Sequence, residues 1–547
     1  MKFKRTVVAP LMMGAVAVVS GGWLLQQDVG SQQSVFQRAR LFDEVIEFVQ
    51  NRYVEPHTEA DLYQKAVEGL LTELGDPHTT FMTAKQYEDL HRTTTGEYGG
   101  LGIQISSRNG WVTAVSILPD TPAEEAGMRV GDRFLEINGK SAEGWSDDDA
   151  VNELRGPRGT TVQLKVQRVG VEQPIAFTIT RQAIHVRSVP YSYMVAPGVG
   201  YASLIVFSQT STQELRAAVD SLRAQGARSL VLDLRGNPGG LLDEGVSVSD
   251  LFLPRGQAVV ETRARDPRES ETYRATTPDQ YEGLKVAVLV DAYSASAAEI
   301  VAGALQDHDR AVVLGTTTYG KGSVQSLFPL SGGNFLKMTT AKWYTPVGRS
   351  IQKDLKEGEE NAAAEDTVMG ADGTPVAQDT TKRVPYRTDS GRTVFGGGGI
   401  VPDMIVRQDT ATEAEKEFFR AASRQAAKFQ DALFSYAVAY ERAHPELRPD
   451  FAVTPQMRRE FYDRLRANGV EVTLEQFNGA QRFIDAQLVD EIARSKFGPP
   501  VAVRRDDATD RVLQEAIRLL QQAPDTQALL RAAQQAPTAA RETASRR

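Results

Sequence analysis

One stretch of the chain, residues 291–325, carries residue types that can perform nucleophilic catalysis. It reads DAYSASAAEIVAGALQDHDRAVVLGTTTYGKGSVQ. The apolar run 284–290 predicts a strand that leads into a turn of small residues, and Ser296 stands where the pattern of a helix over 297–306 begins. A glycine-rich loop further on presents Lys321. We predict that the serine is a nucleophile and that the lysine is its general base.

Position alone is weak support for a nucleophile, because a serine at a strand-to-helix junction is most often an N-cap. Ser294 and Ser296 are both candidates for that capping role. The neighbours Ala295, Ala297 and Ala298 strengthen the catalytic interpretation, since they leave room for a substrate backbone. A helix N-terminus also brings partial positive charge and free N–H groups to the place where an oxyanion would form.

The scarcity of histidine decides which base is available. The chain has six histidines, and His308 lies twelve positions after Ser296 on the same predicted helical stretch. At 1.5 Å per residue that is about 18 Å, too far for a hydrogen bond to the hydroxyl. None of the other five lies beside a catalytic-looking turn. A lysine base remains, provided that burial lowers its pKa from about 10.4. Lys321 suits that role, and Gln325 could orient its ammonium group or bond the serine.

The lysine loop has a competing interpretation as a phosphate-binding loop. Residues 315–321 read GTTTYGK, which matches the first part of a P-loop after a strand. That motif requires serine or threonine next and then a helix. Position 322 is glycine, and residues 323–330 are predicted to be extended. An NTPase is therefore disfavoured.

Composition excludes several classes of protein. There is no cysteine, so disulfides, thiolate zinc sites, a cysteine nucleophile and a lipoprotein anchor are all ruled out. The formal net charge of −9 argues against nucleic acid as a partner. We predict no metal site and no cofactor.

The N-terminus has the pattern of an export segment. Basic residues at 2, 4 and 5 precede an uncharged run from Thr6 to Leu25. About 20 apolar residues are enough to span a bilayer, which favours a membrane anchor over a cleaved signal peptide, although cleavage stays open. The positive-inside rule then places the remainder of the chain in the periplasm.

Residues 96–181 resemble a PDZ domain. The resemblance rests on GGLGIQI at 99–105, WVTAVSI, the phrase PDTPAEEAGMRVGDRFLEINGK, and a predicted helix and strand that follow. The backbone N–H groups of Gly100, Leu101 and Gly102 can turn toward a carboxylate, and Ile103 begins an edge on which a peptide can add as a strand. The predicted partner is a protein or peptide with a free C-terminus. A purely structural β-domain is the alternative.

An α/β unit follows in which strands alternate with helices. The buried strand predicted at 229–234 is followed by RGNPGG. The pair Gly239 and Gly240 lets backbone N–H groups converge on an anion, which suits an oxyanion hole. Taken alone, the pair is better explained by a tight strand-to-helix turn.

Together these motifs resemble the carboxyl-terminal processing proteases, serine peptidases with a Ser-Lys dyad. The motifs GDPHTTFM, the PDZ unit, YASLIVFSQ, DLRGNPGG, SASAAEIVAGAL, YGKGSVQ and GGGIVPD occur in the order typical of that family. The resemblance implies that Ser296 is the nucleophile, Lys321 the general base and Gln325 the residue that orients the lysine. It also implies an oxyanion hole from Ala297 and one of the two glycines Gly239 and Gly240. Members cleave proteins near their C-termini, and the PDZ domain often gates activity by docking a substrate tail.

The predicted architecture is a multidomain α/β protein. The resemblance implies a protease core like that of crotonase and caseinolytic protease, with an inserted β-rich PDZ domain and a helical C-terminal extension. The predicted order is an export segment (1–30), an N-terminal helical region (31–95), the PDZ domain (96–181), the protease core (182–409) with a polar loop insertion (352–393), and a helical C-terminal domain (410–547). The C-terminal helices are candidates for homo-oligomerisation, for docking of an adaptor or for packing on the core.

The sequence thus predicts an endopeptidase of the bacterial cell envelope. We expect a catalytic part in the periplasm that recruits substrate tails through the PDZ domain and works through an acyl-enzyme. The alternative from another class is a catalytically inactive PDZ-containing scaffold of the envelope.

Overall fold

The computed structural model describes residues 36–108, 110–168, 171–353, 383–406 and 411–535. Contacts between residues divide the chain into two compact units. One comprises the described residues up to Thr83 together with Leu327–Met338, and the other comprises Ala84–Ser326 and the described residues from Thr339 onward. Each unit is treated below by itself.

The first unit is built on two helices, residues 36–52 (α1) and Glu59–Thr72 (α2). The side chain of Thr58 caps α2 by accepting the N–H of Asp61 at 3.2 Å. A short strand, β1 (Thr80–Met82), pairs with the beginning of a long strand, β18 (Phe335–Tyr344). Helices α1 and α2 lie in the region 31–95 that was predicted to be helical.

The second unit opens with helix α3 (Ala84–Thr95) and then forms the β-rich domain. Its elements are β2 (Glu97–Gly100), β3 (Ile103–Arg108), β4 (Trp111–Ile117), α4 (Pro122–Glu125), β5 (Arg133–Ile137), β6 (Lys140–Ser141), α5 (Asp147–Leu154), β7 (Thr161–Gln167), β8 (Ile175–Thr180) and β9 (Gln182–His185). The main sheet has the order β3-β4-β5-β7-β8, and β2 pairs with β9. Strand β3 therefore lies at the edge of its sheet, as the PDZ interpretation requires.

A six-stranded sheet of order β10-β11-β12-β15-β16-β21 forms the centre of the α/β core. Its strands and the helices between them are β10 (Tyr191–Ala196), β11 (Val199–Ser203), α6 (Ser211–Ala224), β12 (Ser229–Asp233), α7 (Leu242–Asp250), β15 (Lys285–Val290), α8 (Ala297–Asp307), β16 (Ala311–Gly315) and β21 (Met404–Ile405). Neighbours from β11 to β21 are parallel. The carboxyl ends of β12 and β15 therefore lie side by side, which is where an α/β sheet places ligands.

Alternate residues of these strands belong to two different apolar clusters, because side chains alternate across a sheet. Leu230, Leu232 and Val288 pack with helices α6, α7 and α8. Val231 and Leu289 face the other way. The motif YASLIVFSQ begins within β11, which ends at Ser203.

A second sheet contains the two strands that follow the lysine loop, β17 (Ser323–Pro329) and β18. Its members in the second unit are β13 (Ala258–Ala264), β14 (Glu271–Arg274), the beginning of β17 and the end of β18. Within the second unit, β13 pairs antiparallel with the end of β18, with Glu261 opposite Tyr344.

The polar insertion predicted over 352–393 contains regular structure at its end. Strands β19 (Pro385–Arg387) and β20 (Thr393–Phe395) form an antiparallel hairpin. The loop prediction is therefore wrong for 385–387, where three successive residues pair with those of β20. Residues 354–382 lie outside the described residues.

The C-terminal part is helical, as predicted, but it serves two different structures. Its helices are α9 (Glu413–Ser423), α10 (Ala426–Ala443), α11 (Pro455–Ala467), α12 (Leu474–Gly479), α13 (Gln481–Phe497), α14 (Pro499–Asp506), α15 (Arg511–Gln522) and α16 (Thr526–Gln535). Helices α9 to α13 enclose their own aromatic-rich core. Helices α15 and α16 instead cover the second face of the central sheet.

The β-rich domain also contacts the C-terminal helices. The Arg108 guanidinium at the end of β3 lies 4.3 Å from the ring centroid of Phe434 on α10 and donates to the carbonyl of Gln430 at 3.0 Å. Within the described ranges no helix is long and apolar enough to cross a membrane. The segment 6–25, on which the anchor was predicted, lies outside those ranges.

Candidate active site

Ser296 sits on a sharp turn between strand β15 and helix α8. Its backbone has φ 54° and ψ −114°, a region that residues with a side chain rarely adopt. Backbone strain of this kind at a strand-to-helix junction is typical of a nucleophile elbow, which presents the hydroxyl above the sheet. Because this backbone is not that of an ordinary N-cap, the capping interpretation alone does not account for Ser296.

The neighbouring Ser294 has a different task. It is fully buried, and its hydroxyl donates to the carbonyl of Leu234 at 2.8 Å. The N–H of Asp291 in turn donates to the Ser294 hydroxyl at 2.9 Å. The first contact ties the turn to the residue after strand β12, and the second closes the turn itself. Ser294 therefore shapes the turn, while Ser296 remains partly exposed.

A buried carboxylate, Glu299, joins the two predicted catalytic residues. One of its oxygens accepts the backbone N–H of Ser296 at 2.8 Å and the backbone N–H of Lys321 at 2.9 Å. The other accepts the N–H of Gly320 at 2.7 Å and the hydroxyl of Thr318 at 2.5 Å. The backbones of the serine and the lysine therefore meet on one oxygen atom.

Glu299 is fully buried, and this burial raises the pKa of its carboxyl from 4.5 to about 7, against the opposing effect of its hydrogen bonds. We did not single it out from the sequence. A usable signal was present, since an acidic residue three positions after a helix cap closes a capping box with the N–H of that cap. The contact to the lysine loop, however, depends on tertiary structure.

The lysine loop is fixed on both sides of Lys321. The indole of Trp343 donates to the Lys321 carbonyl at 3.0 Å, and the N–H of Gly322 donates to the side chain of Gln352 at 2.9 Å. Strand β17 begins at Ser323, so the extended prediction is confirmed. A strand and not a helix follows this loop, so the loop lacks the helix that a P-loop requires.

The predicted orienting residue Gln325 faces other partners in this structure. Its amide nitrogen donates to the hydroxyls of Ser323 and Thr339, at 2.9 and 3.3 Å. These hydrogen bonds fix the side chain on the strands β17 and β18 beside the lysine loop. Its role toward Lys321 stays a prediction.

Gly239 lies directly against the serine, and Gly240 lies against Phe207. A Cβ placed on Gly239 would stand 2.8 Å from the Cβ of Ser296, and one on Gly240 would stand 2.1 Å from the carbonyl oxygen of Phe207. Both positions have positive φ, 93° and 148°. Glycine is therefore required at both, for space and for backbone conformation.

Gly239 and Gly240 differ in whether their backbone N–H groups have a hydrogen-bond acceptor. The N–H of Gly239 donates to the side-chain oxygen of Asn237 at 2.8 Å, and the Asn237 amide donates to the carbonyl of Leu204 at 2.7 Å. The N–H of Ala295 donates to the Asn237 carbonyl at 2.9 Å. Asn237 thus locks the loop to the serine turn. Among the described residues, no acceptor is found for the N–H groups of Gly240 and Ala297.

The predicted peptide site in the β-rich domain is a small groove. Residues 100–103 line a cavity of about 50 Å³ with Val151 and Leu154 of helix α5 and with Arg155. A larger cavity of about 810 Å³ shares Tyr98, Val151 and Arg155 with this groove and extends to Ile205 and Val206 of the α/β core. The groove therefore continues toward the core.

The ionisation of Glu299 should make catalytic activity depend on pH near 7. The pKa of this carboxyl is higher in the folded state than its ordinary value of 4.5, so the protonated form stabilises the fold. This stabilisation is fully present below pH 4.5 and is lost as the pH rises through about 7. Ionised Glu299 hence opposes folding at higher pH, yet only the ionised form accepts all four donors. We expect kcat/KM to fall as the pH is lowered from about 8 to 6.

The substitution Glu299→Gln tests this effect. A glutamine has one acceptor oxygen and turns an NH₂ group toward backbone donors, so we expect about 10- to 100-fold lower kcat/KM at pH 8. The inflection near pH 7 should shrink as well. Glu415→Gln is the matched control, a buried carboxylate on α9 whose pKa is lowered by Arg482. An unchanged pH profile in Glu299→Gln would contradict the assignment.

Comparisons with known proteins agree with this geometry. The pattern of Peptidase family S41 matches residues 198–359, and that of a PDZ domain matches residues 113–168. The Carboxy-terminal-processing protease of Bartonella bacilliformis is 40% identical over 326 residues, which cover 59% of this chain and 74% of that protein. The Carboxy-terminal processing protease CtpA of Bacillus subtilis is 33% identical over 332 residues, covering 60% and 69%.

Among solved structures, the photosystem II D1 C-terminal processing protease is 28% identical, covers 57% of this chain and 89% of that chain, and has a TM-score of 0.33. The predicted fold class, with an S41 core, a PDZ domain and C-terminal helices, is confirmed. The chain is a serine-type peptidase, and it belongs to the carboxy-terminal processing protease family.

Proposed function

We propose that this chain is an endopeptidase that cleaves proteins at or near their C-termini through an acyl-enzyme on Ser296, with Lys321 as general base. The observation that carries the proposal is the shared carboxylate of Glu299, which accepts the backbone N–H groups of both residues. A strained serine turn and a lysine loop, 25 positions apart in the sequence, are brought to a single buried anchor. An inactive scaffold would have no need of that arrangement.

The proposed chemistry follows the usual course of serine acylation. Neutral Lys321 takes the hydroxyl proton of Ser296 as the oxygen attacks the substrate carbonyl. The tetrahedral oxyanion accepts hydrogen bonds from the N–H groups of Gly240 and Ala297. The protonated lysine then gives its proton to the leaving amine, and a water molecule, deprotonated by the same lysine, hydrolyses the acyl-enzyme. Gln325 orients the lysine in the complex with substrate.

Gly239 has a different part in this proposal. Its N–H is engaged by Asn237, so we assign the oxyanion donor to Gly240. What Gly239 provides is the close approach of the loop to the Ser296 side chain. Helix α8 adds its N-terminal dipole at the same point.

Substrate recruitment is assigned to the PDZ domain. A substrate tail adds as a strand to the edge of β3, with its terminal carboxylate on the N–H groups of residues 100–102. The cavity of about 810 Å³ next to the groove supports a route toward the core, since Ile205 and Val206 of the core are among its lining residues. Phe207, the next residue, pairs with Gly240 of the proposed oxyanion hole.

We further propose a periplasmic location with the segment 6–25 as membrane anchor. The support is the sequence pattern of basic residues followed by an uncharged run. Protease accessibility in spheroplasts tests the orientation, and washing of membranes with carbonate tests the anchoring.

We also propose that helices α9 to α13 bind a second copy of this chain or an adaptor protein. The support is that these helices form a separate core of their own.

Cleavage should depend on a free substrate C-terminus. Loss of the charge-assisted hydrogen bonds to a carboxylate is worth about 1.5–3 kcal/mol, so amidation of the tail should lower kcat/KM by about 10-fold or more. The measurement compares one unfolded test protein with a free and with an amidated C-terminus. Equal cleavage of both would exclude tail recognition, and binding without any cleavage would favour the inactive scaffold.

A further inference from the structure

The C-terminal helices α15 and α16 form a structural layer of the peptidase core. Their apolar residues pack on the face of the central sheet opposite to helices α6, α7 and α8, against Val231, Leu289 and Leu314 among others. The side chain of Lys285, at the start of β15, donates to the carbonyls of Leu520 and Ala523 at 2.6 and 2.5 Å. This layer lies outside the residues that match the S41 pattern, 198–359.

One residue of this layer reaches the proposed oxyanion loop. Asp510 precedes α15, and one of its oxygens caps the helix by accepting the N–H groups of Val512 and Leu513, both at 3.1 Å. Its other oxygen lies 2.7 Å from the guanidinium of Arg235. A single carboxylate therefore connects the N-terminus of α15 with the loop that follows β12.

Arg235 is the first residue of the RGNPGG motif, which carries Asn237, Gly239 and Gly240. Its guanidinium also pairs with Asp233 at the end of β12, at 2.5 Å, and its backbone N–H donates to the same carboxylate at 3.0 Å. The arginine is thus held between a carboxylate of the sheet and a carboxylate of the C-terminal layer.

The loop is also held by the serine turn and by residues 204–207. Asn237 binds the serine turn through its carbonyl, and the N–H of Gly236 donates to Asp291 at 3.0 Å. On the side of residues 204–207, the Asn237 amide donates to the Leu204 carbonyl at 2.7 Å and the N–H of Phe207 donates to the Gly239 carbonyl at 2.9 Å. Arg235 connects this loop to the C-terminal layer. Only about a fifth of its side chain is exposed, 21%, and 16% of that of Asp510, so solvent screens this pair less than a surface pair.

We propose that Asp510 is a positioning residue for the peptidase reaction: through Arg235 it fixes the loop whose Gly240 N–H stabilises the oxyanion. The inference rests on the proposed function, because it assumes that donor. Removal of a whole oxyanion donor costs about 10²- to 10³-fold in kcat. A displaced donor costs less, and we expect about a 10-fold loss.

The substitution Asp510→Asn isolates this contact. Asparagine caps helices about as well as aspartate, so α15 keeps its cap while the charge pair with Arg235 is lost. We expect kcat on an unfolded test protein to fall about 10-fold with KM within twofold, since tail binding takes place on the PDZ domain. Asp510→Ser, which also caps, provides a second variant in case the asparagine variant folds poorly.

A double-mutant cycle with Arg235→Gln separates positioning from a general loss of stability. If the two residues act as one unit, Asp510→Asn should have little further effect on kcat in the Arg235→Gln background. The control is Thr454→Ala, which removes the cap of α11, where the threonine hydroxyl accepts the N–H of Met457 at 3.2 Å. That variant should lose stability and keep its kcat.

Two outcomes would overturn the inference: wild-type kcat in Asp510→Asn, or fully additive losses in the cycle. Failure of the proposed function would look different. In that case Ser296→Ala would still cleave the test protein, whatever residue stands at position 510.

Discussion

Replacement of Ser296 by alanine is expected to lower cleavage of an unfolded test protein by a factor on the order of 10⁴ or more, with the fold retained. In the proposed mechanism the hydroxyl oxygen forms the acyl-enzyme, and alanine leaves no atom to form it. Stability should change little, because Ser296 is partly exposed and its contact to Glu299 is made by its backbone N–H. The measurement is initial cleavage rate with purified protein, beside a thermal unfolding curve.

Covalent labelling distinguishes this serine from its neighbour. A fluorophosphonate probe should modify wild-type protein on the peptide that contains Ser294 and Ser296, and fragment masses should assign the modification to Ser296. The variant Ser294→Ala should still be labelled, since the buried Ser294 hydroxyl is bonded to the Leu234 carbonyl. Retained cleavage by purified Ser296→Ala, or labelling on Ser294, would show that the nucleophile is wrongly assigned.

The local elements of the site could be predicted because local signals specify them. The apolar run before the turn became β15, and the small-residue stretch after Ser296 became α8. The extended prediction after Lys321 held, since alternation and the proline at 329 oppose a helix there. His308 was set aside by helix length alone, and it lies at the C-terminal end of α8.

The connections between these elements could not be predicted from the sequence. Glu299 binds residues that are 19 to 22 positions later in the chain, and no local pattern predicts such contacts. The division of labour between Gly239 and Gly240 depends on where the Asn237 side chain turns. The same holds for helices α15 and α16, since their apolar face fits any apolar partner until the sheet is in place.

In these contacts, buried or partly buried charged side chains hold the loops around the proposed active site in place. Glu299 gathers four donors around the serine and the lysine, and Asp510 with Asp233 holds the guanidinium of Arg235. Buried ionised groups cost stability unless they are fully hydrogen-bonded. Their presence on both sides of the proposed oxyanion hole is therefore consistent with selection for geometry rather than for stability.

Lys321 is expected to be nearly as important as the serine, and the choice of substitution decides what is learned. Lys321→Met keeps the length of the side chain and removes the base. In the proposed mechanism the two residues act as a unit, so the loss in kcat should be on the order of 10³- to 10⁴-fold. The double variant with Ser296→Ala should then lose little more than Ser296→Ala alone. The loop itself should persist, since its contacts to Glu299 and Trp343 are made by the backbone of Lys321.

Lys321→Arg is the decisive control. Arginine keeps the positive charge but does not give up its proton, so it cannot take the proton of the Ser296 hydroxyl. We expect Lys321→Arg to be as inactive as Lys321→Met in cleavage and to lose the fluorophosphonate label as well. If the arginine variant instead cleaved at more than about a tenth of the wild-type rate, the lysine would act as a fixed cation that stabilises negative charge. The general base would then have to be sought elsewhere around Ser296, with Glu299 as the first candidate because burial raises its pKa to about 7.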